Sequence, residues 1–239
     1  MSQKIKPYKS SENKKNQIIK MFDNIAPTYD LLNHFLSLRM DIIWRKNAIK
    51  KINNNPKKIL DLATGTGDLA ICAAKYTNAD ITAVDISKKM IDIGIKKTQK
   101  LENNIVFKIA DAEKLPFSDN SYDAVTVGFG VRNFQNINKG LEEIYRVLKK
   151  KGMVVILEPS IPERFPIKQI YNLYFSSLLP LIGRLISKDK SAYKYFTESV
   201  NAFPSKNEFI KKLEKIGFGE CKHIPLTFGI ISLYIAIKK

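Results

Sequence analysis

The chain has 239 residues, of which 44% are hydrophobic and 26% are charged, so it can form a buried core and is not a disordered or low-complexity sequence. Its 40 Lys and Arg against 23 Asp and Glu give a formal charge of +17. The two cysteines and two histidines are too few and too widely spaced for a disulfide framework or a Cys/His zinc site, so no metal site is predicted.

The N-terminus is basic but lacks the apolar run of a signal peptide. The most apolar stretch without a charge, residues 169–183, is 15 residues long, whereas a membrane-spanning helix needs about 20. We therefore expect no membrane-spanning helix and a cytoplasmic location. The positive charge is typical of proteins that bind nucleic acid or anionic membranes, and equally of a composition biased toward Lys, Ile and Asn.

Residues 1–16 are polar and predicted to be frayed, and the apolar spacing from 16 to 52 predicts short helices interrupted at Pro27. Short runs rich in β-branched residues then alternate with segments of helical spacing. The predicted strands are 57–63, 79–85, 104–111, 122–129 and 153–159, and the predicted helices between them are 68–76, 87–101 and 136–148. This alternation is typical of a parallel, doubly wound sheet covered by helices on both faces.

The pattern changes after the fifth predicted strand. Residues 160–203 are aromatic and basic and are predicted to be helical. A helix over 205–216 follows, with Ser205 and Glu208 forming a capping box. Two apolar strands separated by little more than Gly229 close the chain, and so short a connection makes them antiparallel neighbours. An α/β fold with a mostly parallel, seven-stranded sheet and a C-terminal antiparallel hairpin is the Rossmann-like fold of class I S-adenosylmethionine (SAM) methyltransferases.

These elements predict four parts of the chain. Residues 1–54 form an N-terminal helical lid, 55–160 the α/β core, 161–203 a helical insertion, and 204–239 a C-terminal helix and hairpin that complete the sheet. Between 164 and 187 the insertion mixes aromatic, aliphatic and basic residues, which is the composition of an interfacial helix. The same composition suits a cover over the active site or a contact between two copies of the chain.

A glycine turn, residues 64–67, joins the first predicted strand to the helix that follows it. Gly65 and Gly67 allow a sharp turn and a close approach of a ligand to the backbone, beneath the N-terminus of that helix. Together with Ala70 they also match the dinucleotide-binding pattern GxGxxA, so the turn alone does not distinguish NAD from SAM. A tight turn that binds no ligand is the alternative.

Acidic residues near the strand ends favour SAM. Asp85 ends the second strand, where a carboxylate accepts hydrogen bonds from two ribose hydroxyls of either cofactor; the alternative is a charge at a helix N-terminus. Asp111 and the backbone amide of Ala112 are placed for the amine and ring nitrogen of adenine. Asp61 and Asp68 flank the glycine turn, where two carboxylates would repel a pyrophosphate and attract the cationic methionine end of SAM.

Several motifs resemble one methyltransferase family in order and spacing. They are Tyr-Asp-Leu-Leu-Asn at 29–33, Leu-Asp-Leu-Ala-Thr-Gly-Thr-Gly-Asp at 60–68, Ala-Glu-Lys-Leu-Pro-Phe at 112–117, Phe-Gly-Val-Arg-Asn at 129–133, and the segment from Arg-Val-Leu-Lys to Glu-Pro-Ser at 146–160. On these motifs the chain resembles the ubiquinone/menaquinone biosynthesis C-methyltransferase family from about 16 to 237. It departs from the family at Leu32, Asp41 and Lys150-Lys151, where the family has Met, His and Pro-Gly.

The resemblance implies that SAM donates a methyl group to a polyprenylated quinol, either demethylmenaquinol or a ubiquinol precursor. The SAM contacts that it implies are Thr66, Asp85, Asp111 and Ala112, with a backbone contact at Gly128. Because the tail of such a quinol is insoluble, we also expect access to a membrane face, with the insertion as a peripheral contact. Alternatively, that segment forms the contact between two copies of the chain in a homodimer.

The chemistry implied is methylation of a ring carbon, which becomes nucleophilic when a quinol hydroxyl ionises. Arg132 and Asn133 follow the fourth strand, at the edge where such sheets bind ligands, and are candidates for binding the two quinol oxygens. Tyr29 and His34 of the lid are further candidates. The alternatives are a salt bridge for Arg132, a helix cap for Asn133 and a buried ring for Tyr29.

Three other functions are compatible with parts of the sequence. A SAM methyltransferase for another small molecule would share the fold, and an NAD-dependent reductase would share the glycine turn. A nucleic-acid-binding protein is suggested by the charge of +17. We do not expect a nucleic-acid partner, because the chain lacks a clustered aromatic and basic recognition motif.

Overall fold

The computed structural model describes residues 5–101, 104–174 and 190–239. The strands in these residues are β1 (Lys58–Leu62), β2 (Asp80–Asp85), β3 (Ile105–Ile109), β4 (Tyr122–Gly128), β5 (Leu148–Pro159), β6 (Phe218–Leu226) and β7 (Ile231–Lys238). They form one sheet in the order β3-β2-β1-β4-β5-β7-β6. Strands β1 to β5 are parallel, and β7 is antiparallel to both β5 and β6. The predicted seven-stranded sheet and its terminal hairpin are therefore confirmed.

Helices cover both faces of the sheet. They are α1 (Lys14–Ile25), α2 (Tyr29–Leu36), α3 (Met40–Ile49), α4 (Asp68–Tyr76), α5 (Lys88–Thr98), α6 (Ile137–Val147), α7 (Ile167–Leu173), α8 (Lys190–Asn201) and α9 (Lys206–Ile216). The side chain of Ser87 caps α5, and Ser205 and Glu208 form the predicted capping box of α9. Among the helices of the described residues, none has both the length and the apolar composition that crossing a bilayer requires.

Two predicted boundaries need correction. The fifth strand was expected at 153–159 but begins at Leu148, which is fully buried and pairs with Tyr122 of β4 across a register shift. The N-terminal segment was expected to be frayed through residue 16, yet α1 begins at Lys14. The Lys14 side chain is buried, and its ammonium donates to the backbone carbonyls of Arg132 and Phe134. Both differences come from contacts with distant parts of the chain.

The predicted insertion is only partly described. Its first half contains α7, and α8 lies at its end. Residues 175–189, which include Phe175, Leu178 and the other apolar residues of the second half of the predicted interfacial segment, lie outside the described residues. The division of the chain into four parts stays a prediction.

The core lies on both faces of the sheet, and the lid contributes to it. Trp44 and Ala48 of α3 pack against β5 and β7, so this helix belongs to the layer that covers the sheet. Helices α1 and α2 instead lie at the carboxyl edge: Tyr29 and several α1 residues line the cavity described below. The N-terminal helices therefore supply both a structural helix, α3, and part of the wall of a site.

Candidate functional site

A cavity opens at the carboxyl ends of β1, β2 and β4, beside the point where the strand order reverses. It has a volume of about 700 Å³, counting the space open to solvent. The residues predicted from sequence that line it are Tyr29, Gly65, Asp85, Asp111, Ala112, Gly128 and Asn133. The other predicted site residues, Asp61, Thr66, Gly67 and Arg132, do not line it. The structure thus brings together residues from five separate segments of the chain.

The glycine turn contributes Gly65 to the wall of this cavity. Gly65 and Gly67 have φ angles of 57° and 86°, in the left-handed region that favours glycine. A Cβ on Gly67 would lie 2.8 Å from the ring of Phe107, whereas a Cβ on Gly65 would meet only Tyr29, at 3.8 Å. Gly67 is therefore required for packing, and Gly65 keeps the backbone open toward the cavity.

Asp85 is held at the carboxyl end of β2 by hydrogen bonds from two backbone N–H groups. Its Oδ2 accepts the N–H of Gly65 at 2.8 Å, and its Oδ1 accepts the N–H of Ser87 at 2.8 Å. Burial raises the pKa of this carboxyl, against the lowering effect of those N–H donors. Each oxygen keeps a lone pair for a further donor, as a ribose diol would supply. The carboxylate also binds the N-cap residue of α5, so the two roles considered for it coexist.

Asp111 is paired with a residue that the sequence analysis missed. Its Oδ2 lies 2.6 Å from Nζ of Lys15, and its Oδ1 accepts the backbone N–H of Glu113 at 2.9 Å. Lys15 also lies 3.5 Å from Oε2 of Glu113 and lines the cavity. Lys15 of α1 thus lies at the end of the cavity that was predicted to bind adenine. A lysine in a polar run gives no sequence signal for such a contact.

The carboxylates of Asp61 and Asp68 do not face the cavity. Asp61 is completely buried beneath the turn and accepts hydrogen bonds from Oγ1 of Thr64 at 2.5 Å and of Thr126 at 2.6 Å. Burial raises its pKa to about 6. Asp68 forms ion pairs with Arg45 and with Lys97. Both carboxylates are thus engaged by groups of the protein, and their attraction for the methionine end of SAM stays a prediction.

Arg132 and Asn133 lie in a short 3₁₀ helix after β4 but point in different directions. The Arg132 side chain is 9% exposed and pairs with the completely buried Glu158 at 3.0 Å. Its guanidinium lies over the ring of Phe196, and among the described residues its Nε has no hydrogen-bond partner. Asn133 lines the cavity and accepts a hydrogen bond from the Tyr195 hydroxyl at 3.2 Å. The salt bridge considered for Arg132 is present.

The two aromatic candidates of the lid are separated. Tyr29 lines the cavity and packs edge-on against Phe22, and burial raises the pKa of its hydroxyl. His34 lies away from the cavity, where its Nδ1 is 2.8 Å from Oδ2 of Asp41. Ligand atoms of His34, Asp41 and Asp68 lie within 4.8 Å of one another. We infer no metal there, because the guanidinium of Arg45 pairs with both carboxylates.

Solved structures with the same fold are SAM-dependent methyltransferases. A Thermotoga maritima structure described as a SAM-dependent methyltransferase, possibly a histamine N-methyltransferase, superposes with a TM-score of 0.67 at 19% identity, covering 92% of this chain and 99% of that one. A SAM-dependent methyltransferase from Methanococcus maripaludis, described as putative, gives a TM-score of 0.64 at 23% identity, covering 96% and 97%. At these identities the likeness shows the fold.

Curated relatives are similar along the whole chain. A demethylmenaquinone methyltransferase of Bacteroides fragilis is 45% identical, covering 99% of this chain and 98% of the relative, and that of Porphyromonas gingivalis is 44% identical with the same coverage. A ubiquinone/menaquinone biosynthesis C-methyltransferase of Geotalea daltonii is 44% identical, covering 94% and 97%. The model of the ubiE/COQ5 methyltransferase family matches residues 9–238. The chain therefore belongs to the ubiE/COQ5 methyltransferase family and is a SAM-dependent methyltransferase.

Proposed function

We propose that the chain transfers a methyl group from SAM to a ring carbon of demethylmenaquinol and so produces menaquinol. The similarity to demethylmenaquinone methyltransferases over 99% of the chain carries this proposal, because it includes both the lid and the core. A ubiquinol precursor is the second candidate substrate, since a relative of 44% identity is named for both quinones.

The residues that line the cavity suit SAM in their hydrogen-bonding groups. The carboxylate of Asp85 accepts the ribose hydroxyls, and Asp111 with the backbone amide of Ala112 binds adenine. Gly65 and Gly128 offer open backbone, while Thr66 and Gly67 complete the turn and Asp61 supports it from below through Thr64 and Thr126. When bound there, SAM supplies an electrophilic methyl group.

Arg132, Asn133 and Tyr29 are the candidates for activating the quinol. Asn133 and Tyr29 line the cavity and offer an amide and a protonated hydroxyl to the quinol oxygens. Arg132 has a fixed positive charge oriented by Glu158, and its Nε is a buried donor with no partner among the described residues. Leaving a buried donor unpaired costs about 1–3 kcal/mol. A water that bridges this nitrogen to a quinolate oxygen in the cavity would satisfy that donor.

The tail of the quinol is accommodated by contact with a membrane. Exposed apolar residues lie on the α2 side (Leu31, Phe35 and Leu38) and the α7 side (Phe165, Ile170 and Leu173), and together we call them the apolar surface. The Tyr174 hydroxyl donates to the carbonyl of Leu36 at 2.9 Å, which holds α7 against the end of α2. Exposed Arg39, Arg164 and Lys168 lie in the same segments and favour anionic lipid. A second copy of the chain is the alternative occupant.

Arg132→Lys tests the role of the guanidinium. Lysine keeps the charge but loses the planar fork, so we expect kcat to fall about 10-fold or more while SAM affinity changes little. Steady-state kinetics and calorimetry measure the two quantities. Arg146→Lys is the matched control, since Arg146 pairs with Glu143 and Asp119 and does not line the cavity. Full turnover of Arg132→Lys would remove Arg132 from the chemistry.

The reaction itself is tested with the purified chain, SAM and short-chain quinols. We expect methylation of demethylmenaquinol on a ring carbon, detected by mass spectrometry of the extracted quinone. Methylation of the ubiquinol precursor alone would favour the second candidate. Turnover of neither quinol by protein that binds SAM would reject the quinol assignment, and extraction of the quinones of the source cell would identify which quinone the cell makes.

A further inference from the structure

Lys97 joins three residues beside the glycine turn without entering the cavity. Its Nζ lies 2.8 Å from Oδ2 of Asp30 and 3.4 Å from Oγ1 of Thr66, and it also pairs with Oδ1 of Asp68. Lys97 is on the last turn of α5, whereas its partners come from α2, the glycine turn and the start of α4. One ammonium group therefore links four segments of the chain.

The partners of Lys97 lie next to the residues that form the cavity wall. Asp30 follows Tyr29, and its Oδ1 accepts the hydroxyl of Thr66 at 2.5 Å. Thr66 lies between the two glycines of the turn. Tyr29 and Gly65 face each other across the cavity wall, because a Cβ built on Gly65 would lie 3.8 Å from the Tyr29 ring. The spacing of these two wall residues thus depends on the contacts of Asp30 and Thr66.

Electrostatics make Lys97 the residue on which this arrangement depends. Asp68 has a second cationic partner, Arg45 at 3.3 Å, but among the described residues Lys97 is the cation that contacts Asp30. Their side chains are 28% and 26% exposed, so solvent screens this pair only in part. Without Lys97, the Asp30 and Asp68 carboxylates would lie on either side of Thr66 without a shared counter-charge, and like charges at short range repel.

We propose that Lys97 is a positioning residue for cofactor binding, which holds the glycine turn and Tyr29 in the geometry that SAM requires. It acts through Asp30, Thr66 and Asp68 and does not itself touch SAM. This inference rests on the proposed assignment of the cavity to SAM. It is independent of which quinol the chain methylates.

The test measures SAM affinity of folded variants by calorimetry, well below their melting temperatures. Lys97→Met should weaken SAM binding about 5-fold or more, which lies within the range of coupling energies between residues of one network. Lys97→Arg keeps the positive charge and has enough N–H donors to reach both Asp30 and Asp68, so it should restore the affinity to within about 2-fold of the native chain. Lys88→Met is the matched control: Lys88 is on the same helix, its side chain is 70% exposed, and among the described residues its ion pair is with Asp92.

A double-mutant cycle separates positioning from general stability. Asp30→Asn removes the carboxylate that Lys97 holds, so Lys97→Met should add little to its effect on the SAM Kd. Additive effects, or native SAM affinity in Lys97→Met with only a lower melting temperature, would overturn the inference. Asp85→Ala separates failure of the cavity assignment from failure of the role of Lys97. If Asp85→Ala leaves the SAM Kd unchanged, the assignment of the cavity to SAM fails. If Asp85→Ala weakens SAM binding and Lys97→Met does not, only the role of Lys97 fails.

Discussion

Asp85 already accepts two backbone N–H groups, so its carboxylate is oriented by the fold itself. We expect Asp85→Ala to weaken SAM binding by about 1–3 kcal/mol, the range for loss of a charged hydrogen-bond partner. Calorimetry on the folded variant measures this. Asp85→Asn, which keeps one acceptor of similar shape, should lose less. Unchanged SAM affinity in Asp85→Ala, or NAD binding of comparable strength by the native chain, would contradict the assignment.

Asp61 makes the stability of the chain depend on pH. Burial raises its pKa from 3.8 to about 6, so between these values the folded state binds the proton more tightly than the unfolded chain does. The free energy of unfolding contributed by this group therefore decreases as the pH rises through that window, by about 3 kcal/mol at most. Asp61→Asn removes the titration and should flatten this part of the curve. Urea unfolding between pH 4 and 7 measures it.

The control for this experiment is Asp92→Asn, because the Asp92 side chain on α5 is 46% exposed, whereas that of Asp61 is completely buried. Its unfolding curve should follow that of the native chain at every pH. If Asp61→Asn keeps the native slope between pH 4 and 6, the buried carboxyl does not titrate there.

The sequence allowed us to predict the candidate site residues that lie at the ends of strands. Asp85 and Asp111 follow β-branched runs, and the carboxyl ends of parallel strands meet at one edge, so their proximity follows from the strand assignment. Lys15 reaches Asp111 across 96 positions of sequence, and Lys14 reaches the carbonyl of Arg132 across 118. Those contacts depend on how the lid docks, which local patterning does not encode.

Helix α5 lies close against β3, and Gly94 of α5 allows this short distance between the helix and the strand. A Cβ on Gly94 would lie 2.5 Å from Cε1 of Phe107, closer than nonbonded carbon atoms approach. We expect Gly94→Ala to lower the free energy of unfolding by about 1–3 kcal/mol through overpacking, although alanine favours a helix by about 1 kcal/mol. Urea denaturation measures the change.

The companion variant Gly94→Ala/Phe107→Leu replaces the ring that the new methyl group would contact with a shorter side chain. It should be more stable than the sum of the two single changes predicts, since the two sites touch. Additivity would show that the ring moves aside freely and that the glycine is not required by packing.

The type of an element could be predicted where its hydrophobic periodicity and its capping residues agree. The boundaries of an element could not be predicted where tertiary contacts extend it. Ser205 and Glu208 marked the start of α9 correctly. The extension of β5 back to Leu148 follows from its pairing with Tyr122, and the three lysines after Leu148 conceal this strand in the sequence. The role of α3 as a cover for the sheet depends on where Trp44 packs, which the short helical pattern did not specify.

At the scale of the whole molecule, the net charge of +17 and the apolar surface predict reversible binding to anionic vesicles. Phe165→Ser with Leu173→Ser removes two apolar side chains that are 81% and 67% exposed. Binding should weaken by about 3–6 kcal/mol at most, the transfer energy of two fully inserted side chains. Turnover of a short-chain, water-soluble quinol should be spared. Vesicle sedimentation and steady-state kinetics measure the two effects.

The control for the vesicle experiment is Leu101→Ser, an exposed apolar residue just beyond α5 and outside the apolar surface. Native vesicle binding by Phe165→Ser/Leu173→Ser together with lost turnover of the soluble quinol would identify α7 as an active-site cover. A concentration-dependent dimer that the double change dissociates would identify a second copy of the chain as the occupant.

The position of β7 has a consequence for how the chain folds during synthesis. β7 lies between β5 and β6, and its interior residues from Leu233 to Ala236 are almost fully buried. A ribosome makes β5 and β6 before β7, so until residues 231–238 emerge β5 has an unpaired edge and β6 has no neighbour to pair with. An exposed apolar edge of this kind is where nascent chains aggregate or recruit chaperones. Closure of the sheet therefore waits until β7 has been synthesised and does not proceed strand by strand along the sequence.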